Sequence, residues 1–192
     1  METIELSGVL GLIATVVLTL NILMGIMLST AYKKANYWGK FPTFLKRFKM
    51  VDIHNYTAYL ALSLVLIHAL IIPLDSSSKF RYSDIVKPLQ APHQPIFVML
   101  GVISLVALFL VIMTSQKIIK KVIGQKTWRW IHVISYATGL IFILHGLVMD
   151  PLLKDRPIDF IDPEKLLVEA CGLILLLAFG ARYQYKKKQR AV

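Results

Sequence analysis

Five stretches of this chain are long and apolar enough to cross a lipid bilayer. A helix needs about 20 apolar residues to cover the hydrocarbon core. Any spanning segment must also satisfy its own backbone polar groups, which helices do internally. Leu6–Thr30 carries no charged residue, and Ile53–Leu74 none beyond whatever its two histidines carry. Ile96–Ser115 and Trp130–Met149 follow. The fifth, Leu166–Ala181, extends backward toward Pro163 and holds Glu169 about one turn in. The expected fold is all-α: an integral membrane bundle of about five transmembrane helices (6–30, 53–74, 96–115, 130–149, 164–182), with 1–192 as a single domain. The first stretch is too long for a signal peptide, and Glu2 and Glu5 stand where a basic leader would be, so it is expected to be a retained helix.

Composition excludes much else. The chain is 56% hydrophobic and 17% charged, against roughly a quarter charged in a soluble domain. That rules out a disordered chain or a nucleic-acid tail and argues against a soluble enzyme. The net charge of +11 falls in short runs between the apolar stretches, which reads as membrane topology and anionic-lipid contact, with no nucleic-acid partner. The single cysteine, Cys171, excludes internal disulfides, iron–sulfur clusters and covalent CxxCH haem attachment.

The basic residues also give a direction. Lys33, Lys34, Lys40, Lys46, Arg47 and Lys49 lie between the first two spans, and Lys117, Lys120, Lys121, Lys126 and Arg129 between the third and fourth. Arg182, Lys186, Lys187, Lys188 and Arg190 follow the fifth. By the positive-inside rule the N-terminus is expected outside and the C-terminus inside. Spans two and four then both run outward. The outer loops Asp75–Pro95 and Asp150–Pro163 have room for short surface helices, and the tail Tyr183–Val192 is expected to be too short to fold. The expected location is a prokaryotic plasma (inner) membrane.

Four of the five histidines fall inside these spans, on two helices only. His54 and His68 are on span two with thirteen residues between them; His132 and His145 are on span four with twelve between them. Intramembrane ionisable side chains are costly and usually functional, although a single one can be a helix–helix hydrogen bond. At 1.5 Å per residue the separations are roughly 21 and 20 Å, so His54 pairs in depth with His132 near the inner surface, and His68 with His145 near the outer one. Two imidazoles with no cysteine or carboxylate beside them suit a six-coordinate haem better than zinc, which takes three or four protein ligands. The azimuths do not match so simply. Fourteen helical steps return to within roughly 40° of one face, but thirteen miss it by roughly 140°. Span four is therefore expected to twist, with Gly139 and Gly146 as the permissive positions, or to present its ligands in different directions.

This paired spacing resembles the ferric reductase-like transmembrane domain, the membrane core of NADPH oxidases, metalloreductases and the haem subunit of bacterial methionine-sulfoxide reductase systems. The segment Lys126-Thr-Trp-Arg-Trp-Ile-His132 is similar to that family's basic–aromatic entry to its inner ligand. The resemblance spans roughly Leu6 to Arg182. It implies two b-type haems, the inner on His54 and His132 and the outer on His68 and His145. It also implies six helices where five are read here. The glycine-rich loop and the flavin- and nicotinamide-binding domain of the larger members are not found in this sequence, so electrons are expected to come from a redox partner protein or flavoprotein, a bound flavin, or a quinol or quinone.

Other residues admit two readings each. Lys46, Arg47, Lys126 and above all Arg129 suit inner haem propionates or plain topology; Trp128, Trp130 and Tyr136 suit porphyrin packing or the interfacial aromatic belt. Arg81 and Arg156 suit outer propionates, an anionic substrate or solvated loop charge. His93 suits a quinone or metal contact or an ordinary loop; Glu169 suits proton transfer or an outer-loop ion pair. Gly8, Gly11 and Gly25 suit close helix packing or approach of a porphyrin edge. Three functions compete: a di-haem b-type cytochrome acting as an electron-transfer subunit, a stand-alone quinol-linked reductase or superoxide-handling oxidase, and a metal or proton transporter.

Overall fold

The computed structural model describes residues 3–30, 39–40, 42, 49–150, 152–153, 157 and 159–190. Five helices in it are long and apolar enough to cross a membrane. They are α1 (Thr3–Ser29), α2 (Met50–Ile71), α4 (Pro95–Thr114), α5 (Lys117–Val148) and α6 (Pro163–Arg190), with a short helix α3 (Tyr82–Val86) between α2 and α4. The chain is an all-α integral membrane protein.

Local chemistry sets the ends. α1 stops where the hydroxyls of Ser29 and Thr30 donate to the Ile26 carbonyl, satisfying an oxygen the helix leaves open. α2 ends as Pro73 approaches, and the chain tightens into a 3₁₀ turn, Ile72–Leu74. Pro95 opens α4 at its first turn, where a missing N–H costs nothing. The loop between α2 and α4 carries 3₁₀ turns at Ser76–Ser78 and Pro88–Gln90 around α3, so it does hold short helices. Asp75 starts it by accepting from the Ser77 hydroxyl and amide, which hold its carboxyl below the usual range.

Two expectations change. α5 begins at Lys117 rather than near Trp130, and it is broken only at Gly124 (φ 79°, ψ 158°), a backbone that favours glycine. The tail expected to be unfolded is helical as far as Arg190. Extending an existing helix avoids the nucleation that an isolated ten-residue segment could not sustain.

α1 packs along α2, and α4 along α5; α1 also touches α5 and α6, and α2 touches α4. The core is a ladder of Ala14, Leu18, Ile22 and Ile26 on α1, met by Ala61 and Val65, Leu108 and Ile112, Phe142 and Ile143, and Val168, Cys171 and Leu175. Large apolar side chains elsewhere, such as Leu60, Ile67, Phe109 and Leu177, point outward, as lipid contact requires. Gly139 lies against Ile22 and Leu175, Gly146 against Val168, and Gly172 against Ile143. Gly139 and Gly146 thus seat α1 and α6 on α5. They do not twist it, since Gly124 is its one non-helical residue.

Asn21 joins α1 to α2. Its amide donates to the His54 carbonyl (2.6 Å) and the Thr57 hydroxyl (2.8 Å). Lipid offers these groups no replacement partners, and such interhelical bonds are worth about 1 kcal/mol. Asn21→Leu should lower stability by about that amount, read as a reduced melting temperature in detergent micelles. An unchanged melting temperature would remove this contact from the forces holding the pair.

Candidate functional site

The four intramembrane histidines meet in two pairs. The His54 and His132 ring centres are 6.1 Å apart and those of His68 and His145 6.4 Å apart, each pair edge-on at 69° and 80°. His54 and His132 lie at the end of the bundle that carries the basic runs; His68 and His145 form a distal pair. Both pairs bridge α2 and α5, which are not extensive packing neighbours among the described residues. α1 and α4 hold them from behind.

The backing of each ring is specific. His54 Nδ1 meets the Asn21 carbonyl at 3.1 Å, His68 Nδ1 the Ser7 carbonyl at 2.7 Å, and His145 Nδ1 the Phe97 carbonyl at 2.8 Å. A carbonyl only accepts, so each Nδ1 carries the proton and each Nε2 keeps its lone pair. Four residues beyond each carbonyl stands a glycine whose missing side chain makes room for the ring. A Cβ on Gly25 would come within 3.3 Å of His54, on Gly11 within 3.2 Å of His68, and on Gly101 within 2.8 Å of His145. Gly11 and Gly25 are therefore seats for histidines on α2. The Ser7 hydroxyl adds a bond to the His68 carbonyl at 3.0 Å.

His132 differs. Its Nδ1 lies 3.4 Å from the Ser115 hydroxyl, which donates to the Val111 carbonyl (2.7 Å) and accepts from Trp128 Nε1 (3.1 Å). The Trp128 ring stacks on His132 with centres 4.9 Å apart and planes 29° apart, and Lys120 Nζ sits 3.5 Å above Trp128. With α5 regular between His132 and His145, their angular offset is left to side-chain direction and the slant of the helix.

The residues fit haem. An imidazole–metal–imidazole sandwich with bonds of about 2.0 Å, and roughly 1.1 Å from nitrogen to ring centre, puts the centres about 6.2 Å apart. The observed 6.1 and 6.4 Å match. Beside the distal pair is an apolar-walled cavity, open at its rim, with Val65, Leu105, Phe142 and Lys165 among its lining residues. Among the described residues no group of three His, Cys, Asp or Glu side chains gathers as for a bare metal ion.

The other sequence candidates scatter. Trp128 joins the basic-end pair, while Arg129, one residue on, is exposed, as are Lys126 and Trp130. Tyr136 turns to α6, against Phe179 and Arg182. His93 packs near Phe80 in the loop between α2 and α4. Glu169 is half-buried on α6 and does not line the distal cavity, whereas Lys165 and Glu164 do. Arg81 is exposed beside α3; Lys46, Arg47 and Arg156 fall outside the described residues. Sequence reasoning missed Gly101, Ser115 and Lys165. The first two carried a signal: Gly11 and Gly25, and Gly101 and Ser115, repeat the fourteen-residue step of His54 and His68.

A family model described as ferric reductase like transmembrane component matches residues 10–143. The chain belongs to that family. No curated protein matches the chain. Membership implies electron transfer across the membrane, haem as the cofactor, and work alongside redox partners. The matched range holds His54, His68 and His132; His145 lies two residues beyond it and enters the site through its position opposite His68.

Gly101→Val should drive the His145 ring from its place and lower the haem content of the purified chain. Haem-to-protein stoichiometry in the purified variant checks this. Full loading would mean that Gly101 is not a seat.

Proposed function

We propose that this chain is a di-haem b-type membrane cytochrome. Its two haems would lie one above the other, the first between His54 and His132 and the second between His68 and His145. The observation that carries the reading is the repeated pair of facing imidazoles, at a spacing suited to one iron atom each. When bound, each haem supplies a one-electron Fe(III)/Fe(II) couple. The chain's own residues do the rest. The carbonyls of Asn21, Ser7 and Phe97 fix the tautomer and aim of three ligands and raise their basicity. Ser115 and Trp128 orient the fourth. The apolar walls exclude water and leave the charge change little screened.

The basic end faces the cytoplasm in this reading, with electrons exchanged there with a separate flavoprotein or another subunit. Exposed Lys117, Lys121, Lys126 and Arg129 lie on the helix that carries His132 and Trp128, a surface suited to an acidic redox partner or to anionic lipid. Arg129 and Lys126 then serve docking at least as well as propionate binding. The metal-transporter alternative lacks its coordination set, since the histidines meet only in twos among the described residues.

A reduced-minus-oxidised absorption spectrum of the purified chain, with haem quantified against protein, tests the reading. Two b-type haems per chain are expected, and a colourless protein made with ample haem supply would overturn it. The pairing has its own test. His68→Ala and His145→Ala should each remove the distal haem and spare most of the other, with the reverse for His54→Ala and His132→Ala. Loss of the same haem in His68→Ala and His132→Ala would break the assignment.

A further inference from the structure

Lys165 is the one buried cation among the described residues, at 7% exposed. It is the third residue of α6 and lines the distal cavity together with His68 and His145. Its Nζ donates to the carbonyls of Gly146 (2.9 Å) and Met149 (2.5 Å). These belong to the end of α5, where a helix leaves carbonyls unsatisfied and favours a positive charge. Gly146 directly follows the ligand His145. The ammonium is thus fixed in place at the foot of the ligand-bearing helix.

A cap alone does not need a charge, because a neutral amide donor also satisfies carbonyls. A buried ammonium adds a fixed positive field in a site where screening is weak. Three carboxylates line the same cavity. Asp84 accepts from the Arg81 amide (2.8 Å), Asp150 accepts from the Leu152 amide (3.1 Å), and Glu164 is exposed. Their negative charge opposes the lysine's field within the same cavity. At the other end of the bundle the lysine beside His132, Lys120 over Trp128, is only half-buried and so more open to solvent screening.

We propose that Lys165 is a charge-setting, positioning residue of the distal site, whose ammonium stabilises an electron placed on the iron between His68 and His145 and so raises that site's midpoint potential. The step is the addition of one electron to ferric iron, giving ferrous iron, with no bond made or broken. The proposal rests on the di-haem reading. Its consequence is directional, because a favoured distal site draws electrons away from the basic end.

The test is an optical redox titration of the full chain in detergent, with dithionite as reductant and ferricyanide as oxidant, on wild type, Lys165→Gln and Lys165→Arg. The haem component that His68→Ala removes identifies the distal site. Lys165→Gln keeps hydrogen-bond donors without the charge, and Lys165→Arg keeps the charge. The expected result is two haems in both variants, with the distal midpoint lowered in Lys165→Gln, near wild type in Lys165→Arg, and the basic-end midpoint unmoved in both. Loss of the distal haem in Lys165→Gln alone, with Lys165→Arg at the wild-type potential, also supports a requirement for charge. An unchanged distal midpoint in Lys165→Gln, an equal shift at both haems, or failure of Lys165→Arg alongside Lys165→Gln would each overturn the proposal while leaving the di-haem reading intact. Absence of haem from the wild type would overturn that reading and this inference with it.

Discussion

An imidazole presents one ring proton, and where that proton goes decides what the other nitrogen can do. In this bundle the Nδ1 protons of His54, His68 and His145 go to backbone carbonyls of a neighbouring helix. The bond fixes the tautomer, restrains the ring and leaves Nε2 with its lone pair. It also satisfies polar groups where lipid offers none. The helix pairing follows from this demand. α1 runs antiparallel to α2 with Gly11 beside His68 and Gly25 beside His54, so both contacts share one register. A one-residue slip of α1 would break both seats together.

The second helix pair obeys the same demand less evenly. α4 offers Gly101 to His145 and Ser115 to His132, fourteen residues apart, while the histidines on α5 are thirteen apart. The mismatch falls on His132. The Val111 carbonyl, which corresponds to the acceptors at the other three, instead takes the Ser115 hydroxyl. His132 is left with a longer contact to that hydroxyl and compensates with a stacked Trp128. The four histidines are thus not equivalent, and the basic-end pair has the softer support.

The rest of the bundle keeps two helices apart while holding them firmly. α1 is the central element because it backs α2 and also contacts α5 and α6. α6 contributes no histidine. It fills the stripe left by Gly139, Gly146 and its own Gly172, and delivers Lys165 to the end of α5. Between helices in lipid there is little hydrophobic drive, so small residues and hydrogen bonds carry the association. This is why glycines and a few polar groups such as Asn21 matter more here than the many leucines, which chiefly face outward.

The sequence by itself determined the number of spans, the all-α class and the four histidines that share two depths. Each is a local property: apolar length measured against bilayer thickness, and residue spacing multiplied by helical rise. The resemblance carried by the histidine spacing agrees with the family match over residues 10–143. The helical tail to Arg190 and the early start of α5 were misjudged because helix continuation needs no apolar signal once a helix exists. Only the tertiary structure decided what backs each ring. The acceptors are main-chain carbonyls of Ser7, Asn21 and Phe97, and a carbonyl has no side-chain signature. It also decided that Lys165, which reads as an ordinary loop-side charge, is buried beside the distal pair. Which residue of α6 meets which carbonyl of α5 depends on the register between segments distant in the chain, and no local pattern encodes that register.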